Sequence, residues 1–226
     1  MADALSEQYR RRFAATRDYR DAVWRLLVER CFQRWVGPGE RVLDLGCGWG
    51  EFSRHIRAGS RFAMDLNPDA AALLDPGVHF LRQDCAAPWP LAAASLDVVF
   101  SSNFLEHLPD KAAVAATLGE ARRCLAPGGR IVLVGPNLRY TGGAYWDFWD
   151  HHVPLTERSL AELLTLCGFR IEQALPRFLP YTMSQGRNPP LALVALYLRL
   201  PWLWPLLGKQ FLVVGRVDAA AGAAPA

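Results

Sequence analysis

Val42-Leu43-Asp44-Leu45-Gly46-Cys47-Gly48-Trp49-Gly50 sets an apolar run directly against three glycines at alternate positions. The run has the residue types of a buried strand, and the glycines let the backbone turn tightly where that strand meets a helix. Such a junction lets a ligand approach main-chain N–H groups closely, so it reads as a nucleotide-type site. The nicotinamide fingerprint G-x-G-x-x-G would place its third glycine at position 51, where Glu51 stands, and the spacing here is G-x-G-x-G. A nicotinamide-dependent dehydrogenase is therefore disfavoured.

Outward from this loop, short apolar runs alternate with helical patterns, which is the signature of a parallel sheet covered on both faces. Strands are predicted over residues 41–45, 60–65, 78–81, 96–101 and 130–134, with helices after Gly50, Pro68 and Pro109 in the crossovers. Thr156 should cap a helix that stops at Gly168, and residues 169–174 and 211–217 read as two further strands. The expected fold is α/β: a doubly wound, mostly parallel seven-stranded sheet. Residues 3–36 read as two N-terminal helices, from Tyr9 and Phe13 and then from Val23, Leu26, Leu27, Cys31 and Trp35 at three- and four-residue steps. The organisation expected is one domain over 1–218, with a core at 38–175, a late apolar insertion at 176–209 and a flexible tail at 219–226.

Composition narrows the function. With 226 residues, 51% of them hydrophobic and 21% charged, the chain suits one globular domain. A net charge of +3 with interspersed acids gives no basic stripe, so nucleic acid is not an expected partner. Cys31, Cys47, Cys85, Cys124 and Cys167 form no C-x-x-C pair and are expected as free thiols. The first residues include Asp3, Glu7 and three arginines from Arg10 to Arg12 without the apolar stretch of a secretory signal, so a cytoplasmic location is expected.

With Asp44 two positions before Gly46, the chain resembles the class I S-adenosylmethionine-dependent methyltransferases over residues 38–175. Further landmarks follow in order: Asp65 ending strand two, Asp84-Cys85 after strand three, Asp97-Val98-Val99-Phe100 in strand four, and Leu125-Ala126-Pro127-Gly128-Gly129 before strand five. The resemblance implies S-adenosylmethionine as cofactor. It implies that the turn with Asp44, Gly46, Cys47 and Gly48 cradles the methionine portion, and that Asp65 accepts from both ribose hydroxyls. It places Leu66 on the adenine face, Asp84 on the adenine amino group and the Cys85 backbone N–H beside it. An ionised carboxylate accepts only and can hold two vicinal hydroxyls, which agrees with the role given to Asp65. The bland reading is that either aspartate caps a helix. Residues 102–107, Ser-Asn-Phe-Leu-Glu-His, resemble a segment in the subgroup that includes ubiquinone-biosynthesis methyltransferases, with Asn103 at the methionine end. His107 is read there as a local packing or hydrogen-bonding group rather than a base.

The acceptor side is expected in the aromatic stretch 140–152, which leaves strand five and ends in His151-His152. A neutral imidazole there could take the proton of an acceptor hydroxyl, making this an O-methyltransferase, with His151 or His152 as the base. The alternative is that one histidine merely orders Asp147 or Asp150 among packed aromatics. A metal held by Asp147, Asp150, His151 and His152 is not expected, because consecutive histidines point apart and no further ligand spacing supports the set.

The expected acceptor is a small molecule or glycan-like compound. Nitrogen or carbon methylation, and a non-catalytic methyltransferase-like binding protein, are the alternatives. The apolar stretch 191–207 contains Arg199, Pro201 and Pro205 and is too short to span a bilayer. It reads as a lid over an apolar substrate, as an oligomer or peripheral membrane contact, or as a helix packed on its own domain.

Overall fold

Strand β1 (Arg41–Leu45) is buried from Val42 to Leu45 and pairs in parallel with β2 (Ser60–Asp65) on one side and β4 (Leu96–Ser102) on the other. The computed structural model describes residues 17–181 and 188–219. Its sheet has seven strands in the order β3-β2-β1-β4-β5-β7-β6, where β3 is Val78–Arg82, β5 Leu125–Pro136, β6 Phe169–Leu179 and β7 Gln210–Val217. β1 to β5 run parallel, and β7 lies antiparallel between β5 and β6. The strand order reverses between β1 and β4, and the crevice beyond their carboxyl ends is where such sheets bind ligands.

Side chains alternate across the sheet with the period of two that a strand imposes. Leu43 and Leu45 of β1, with Val99 of β4, pack under helices α3 (Lys111–Cys124) and α5 (Glu157–Leu166) through Leu118, Ala121, Leu160 and Leu164, the short α4 (Leu138–Thr141) lying between β5 and α5. Val42, Val98 and Phe100 point to the other face, where Val23 and Leu27 of α1 (Arg17–Leu27) cover them with Phe32 and Phe178. Phe100 is the centre of this second layer. It stacks on Phe52 at 3.8 Å between ring centroids and meets Phe32 edge-on at 4.9 Å.

The seven strands occupy their expected positions, and several element boundaries shift. α1 ends in a π turn (Val28–Phe32) and a 3-10 turn (Gln33–Trp35), while the helix read through Tyr9 and Phe13 and the tail beyond residue 219 lie outside the described residues. The helix after Gly50 is only α2 (Glu51–His55), and the one expected after Pro68 is a 3-10 turn (Pro68–Leu73) capped by the Asn67 side chain. Pro68 stands at the first position of that turn, and Pro76 holds Asp75 out of helical conformation and so bounds the segment. β5 starts at Leu125, not 130, because Leu125 already pairs with Leu96 before a register shift. β6 runs on to Leu179, so the insertion expected from 176 leaves the sheet at Pro180. It contains α6 (Leu191–Arg199) and α7 (Trp204–Leu207).

Candidate active site

The glycine loop works through backbone shape. Gly46 has φ +70°, and a Cβ there would lie 2.2 Å from the Phe104 ring; Gly50 has φ +71°, and its Cβ would lie 2.4 Å from Leu74. Both positions combine a left-handed conformation with close approach, which only glycine tolerates. The loop's first N–H groups are engaged within the protein: Gly46 and Cys47 donate to the Met64 carbonyl at 2.9 and 3.1 Å, and Gly48 donates to Asp65 Oδ2 at 2.9 Å. The donors that the sequence suggested for a ligand therefore tie the loop to β2.

A cavity of about 180 Å³ opens over this loop. Its floor is Asp44, Gly46, Cys47 and Gly48 from the end of β1, with Ser102 and Asn103 from the end of β4. Asn103 has φ +50°, rare for a residue with a side chain, and is held by its N–H to the Val134 carbonyl at 2.9 Å. α1 and α2 supply Arg20 and Glu51, paired at 2.9 Å. Asp44 is buried, with Oδ2 accepting from the Ser53 hydroxyl at 2.7 Å. Burial pushes its carboxyl up to about 7; the Ser53 hydrogen bond opposes the rise and the Glu51 and Asp65 charges add to it.

Glu106, His107, Phe148, Asp150 and His151 form the opposite wall. The donor atoms of Glu106, His107 and His151 all lie within 4.8 Å of one another. His107 Nδ1 lies 2.9 Å from the Asp150 carbonyl oxygen and 3.3 Å from its carboxylate. A carbonyl only accepts, so Nδ1 carries the proton. Burial disfavours the His107 cation, but the Asp150 hydrogen bond and the Glu106 and Asp150 charges outweigh it and raise the pKa above its ordinary value. The same bond holds Asp150 down at about 2. Burial raises the fully buried Glu106. His151 is buried against Phe148, with ring centroids 4.9 Å apart and nearly parallel, and meets the Tyr145 ring at 4.8 Å. The Tyr145 hydroxyl donates to the Val153 carbonyl, and the His152 and Val153 N–H groups donate to the Glu106 carbonyl, so the aromatic loop is pinned to the segment after β4.

The profile of a family described as methyltransferase domain matches residues 16–174. The chain belongs to the methyltransferase domain family. Its fold and site mark it as a class I member, and the cofactor of that class is S-adenosylmethionine. A Mycolicibacterium smegmatis protein named "Probable S-adenosylmethionine-dependent methyltransferase" is 31% identical, over 70% of this chain and 60% of its own. A malonyl-[acyl-carrier protein] O-methyltransferase of Serratia marcescens is 38% identical, over 53% of this chain and 51% of its own. The chain thus spans 60% or less of these two relatives. A crystal structure of an S-adenosylmethionine-dependent methyltransferase from Archaeoglobus fulgidus superposes with a TM-score of 0.65 at 19% identity, covering 90% of this chain and 98% of that one.

The site residues read from sequence fall into three groups. Asp44, Gly46, Cys47, Gly48 and Asn103 meet in one cavity with His151. Asp65, Leu66, Asp84 and Cys85 lie outside its lining, at the ends of β2 and β3. Asp65 accepts from the Gly48 and Asn67 N–H groups, one on each oxygen, and burial raises its pKa. Leu66 is 62% exposed, Asp84 is exposed with Oδ1 accepting from the Ala86 N–H, and Cys85 is buried beside the Thr117 hydroxyl. The third group is His152, which is exposed and outside the cavity, so the adjacent histidines separate.

Sequence reasoning passed over Glu106, Arg20, Trp24, Tyr181 and Gln210, all of which line the cavity. It read His107 as a local packing or hydrogen-bonding group rather than a base; the ring hydrogen-bonds Asp150 and also lines the cavity. One signal was available: a Glu-His pair in the segment after β4. The other residues come from α1 and from the two ends of the insertion, which only tertiary packing brings here.

The residues present fit the cofactor of the family. The cavity is lined by the carboxylates of Asp44, Glu51, Glu106 and Asp150, suitable for a ligand carrying sulfonium and ammonium charge, with Arg20 suitable for its carboxylate.

Proposed function

We propose that the protein transfers the methyl group of S-adenosylmethionine to a hydroxyl of a small-molecule or glycan-like acceptor, with His151 as the base. Asp44, Gly46, Cys47, Gly48 and Asn103 would hold the methionine end, and Asp65, Leu66, Asp84 and Cys85 the adenosine end. When bound, the cofactor supplies a methyl group made electrophilic by its sulfonium.

The observation that carries this reading is the contrast between the two cavity histidines. His107 is committed to Asp150 through Nδ1, and that contact raises its pKa above the ordinary value, toward the form that has no lone pair to accept a proton. His151 faces the same cavity from the loop that leaves β5, between Phe148 and Tyr145. A neutral His151 ring nitrogen takes the acceptor's hydroxyl proton as the oxygen attacks. His107 ties Asp150 in place through its Nδ1 proton. The packed aromatics exclude water from the site and fix the acceptor's approach, and alignment supplies much of the acceleration.

The test is to incubate the protein with methyl-labelled cofactor and candidate acceptors bearing hydroxyl, amino or activated carbon positions, and to locate the label by mass spectrometry. Label on oxygen supports the proposal. Label on nitrogen or carbon, or cofactor binding without transfer to any acceptor, contradicts it.

A further inference from the structure

The insertion carries a concentration of exposed apolar side chains that the cavity does not use. Leu193 and Leu196 on α6 are 56% and 50% exposed, Trp202 is 65%, and Leu206 and Leu207 on α7 are 62% and 54%. These five lie within fifteen residues of chain, beyond the scattered exposure normal for a protein surface. Other residues of the insertion anchor it: Tyr197, Leu198 and Trp204 are buried against the α1 layer, and the Tyr197 hydroxyl donates to the Phe178 carbonyl at 2.5 Å. The exposed leucines and Trp202 therefore sit on a fixed support.

Charge identifies the partner. Between Arg177 and Lys209 the sequence has no acidic residue, while Arg177, Arg199 and Lys209 are basic. Exposed leucines and a tryptophan on short helices, accompanied by bases without acids, match an interfacial element attracted to anionic lipid headgroups. Among the described residues no helix is long and apolar enough to cross a membrane, which leaves contact with the surface. The insertion is also joined to the cavity at both ends. Pro180 and Tyr181 at its start and Gln210 after its end line the cavity. The Gln210 side-chain amide donates to the Pro180 carbonyl at 2.7 Å, and the Lys209 N–H donates to the Leu179 carbonyl at 2.8 Å.

We propose that α6, α7 and Trp202 dock the protein on an anionic lipid surface, with the mouth of the insertion, at Pro180 and Gln210, forming part of the wall of the cavity. The docking claim does not depend on which atom is methylated.

Co-sedimentation of the full chain with vesicles tests it, comparing phosphatidylcholine alone with phosphatidylcholine containing phosphatidylglycerol. Wild type should pellet with the anionic vesicles and be released by salt, which screens the basic residues. The triple variant Leu193→Gln, Trp202→Gln, Leu206→Gln should bind roughly tenfold less, having lost its apolar anchors. Its affinity for S-adenosylmethionine should be unchanged, which shows that it is folded. Absence of wild-type binding to anionic vesicles, or equal binding by a folded triple variant, overturns the proposal. Sedimentation velocity supplies the competing occupant: a wild-type dimer that the triple variant converts to monomer would show that a second copy covers this face, and would also overturn it.

Discussion

His107 donates from Nδ1 to the Asp150 carbonyl oxygen at 2.9 Å, with the Asp150 carboxylate 3.3 Å from the same nitrogen. One residue thus orients the imidazole and raises its pKa above the ordinary value. The contact joins the segment after β4 to the aromatic loop after β5, the two elements that make the far wall of the cavity. Its energetics are coupled to pH with opposite signs at the two partners. Asp150, held at about 2 against an ordinary 3.8, contributes stability that is present above 3.8 and lost as pH falls through about 2. His107, raised above its ordinary 6.5, contributes stability that is full below 6.5 and lost as pH rises through its folded-state value.

Asp150→Asn should therefore be most destabilising, by on the order of 1 kcal/mol, in the window between the two ordinary values. The gap from wild type should narrow as pH rises beyond 6.5 and His107 loses its proton. Urea unfolding of both proteins at pH 5 and pH 9 measures this directly. A gap that widens at the alkaline end would show that the pair is not charged as described.

Gly46→Ala should abolish cofactor binding and destabilise the fold by about 1–3 kcal/mol, from positive-φ strain and from the Phe104 ring that the new Cβ meets. In a Phe104→Ala background the same substitution should cost less, since the ring is gone and only the backbone strain and the 2.8 Å approach to the Cβ at position 104 remain. Equal costs in the two backgrounds would remove the steric part of the account.

Asp65→Ala should weaken S-adenosylmethionine binding by about 2–4 kcal/mol if its carboxylate holds the ribose hydroxyls. Because Asp65 Oδ2 also accepts from the Gly48 N–H, the variant should loosen the glycine loop as well. Asp65→Asn, which keeps one acceptor oxygen, should recover part of the loss. Calorimetry on the three proteins decides, and an unchanged dissociation constant in folded Asp65→Ala would exclude the ribose role.

The fold was legible because its signals are local. Val42-Leu43-Asp44-Leu45 against alternate glycines marks β1 and its turn, and Asp44 at that distance from Gly46 carries the family resemblance. Thr156 caps α5 through the Ser159 N–H, as its place before an apolar-periodic run suggested. The cavity was legible only on the side built by these junctions. Arg20, Tyr181 and Gln210 reach it from distant parts of the chain, and no spacing rule relates them to Asp44. The two histidines show the same limit. Neighbours in sequence, they differ because the His152 and Val153 N–H groups both anchor on the Glu106 carbonyl, leaving His151 facing in and His152 exposed.

Treatment with EDTA should leave turnover unchanged, since proton removal by His151 and alignment need no cation. Glu106, His107 and His151 bring donor atoms within 4.8 Å, so a strong loss of activity that zinc or manganese restores would reassign these three as metal ligands.

The central claim is that His151 accepts the acceptor's proton during methyl transfer. Its most direct test is single-turnover transfer of labelled methyl from S-adenosylmethionine, followed against pH in wild type, His151→Ala and His152→Ala. Wild-type rates should rise with pH as one imidazole loses its proton; His151→Ala should lose at least about a hundredfold in rate and the pH step with it, at nearly unchanged cofactor affinity, while His152→Ala keeps both. A His151→Ala enzyme with near-normal rate and the wild-type pH profile would contradict the account.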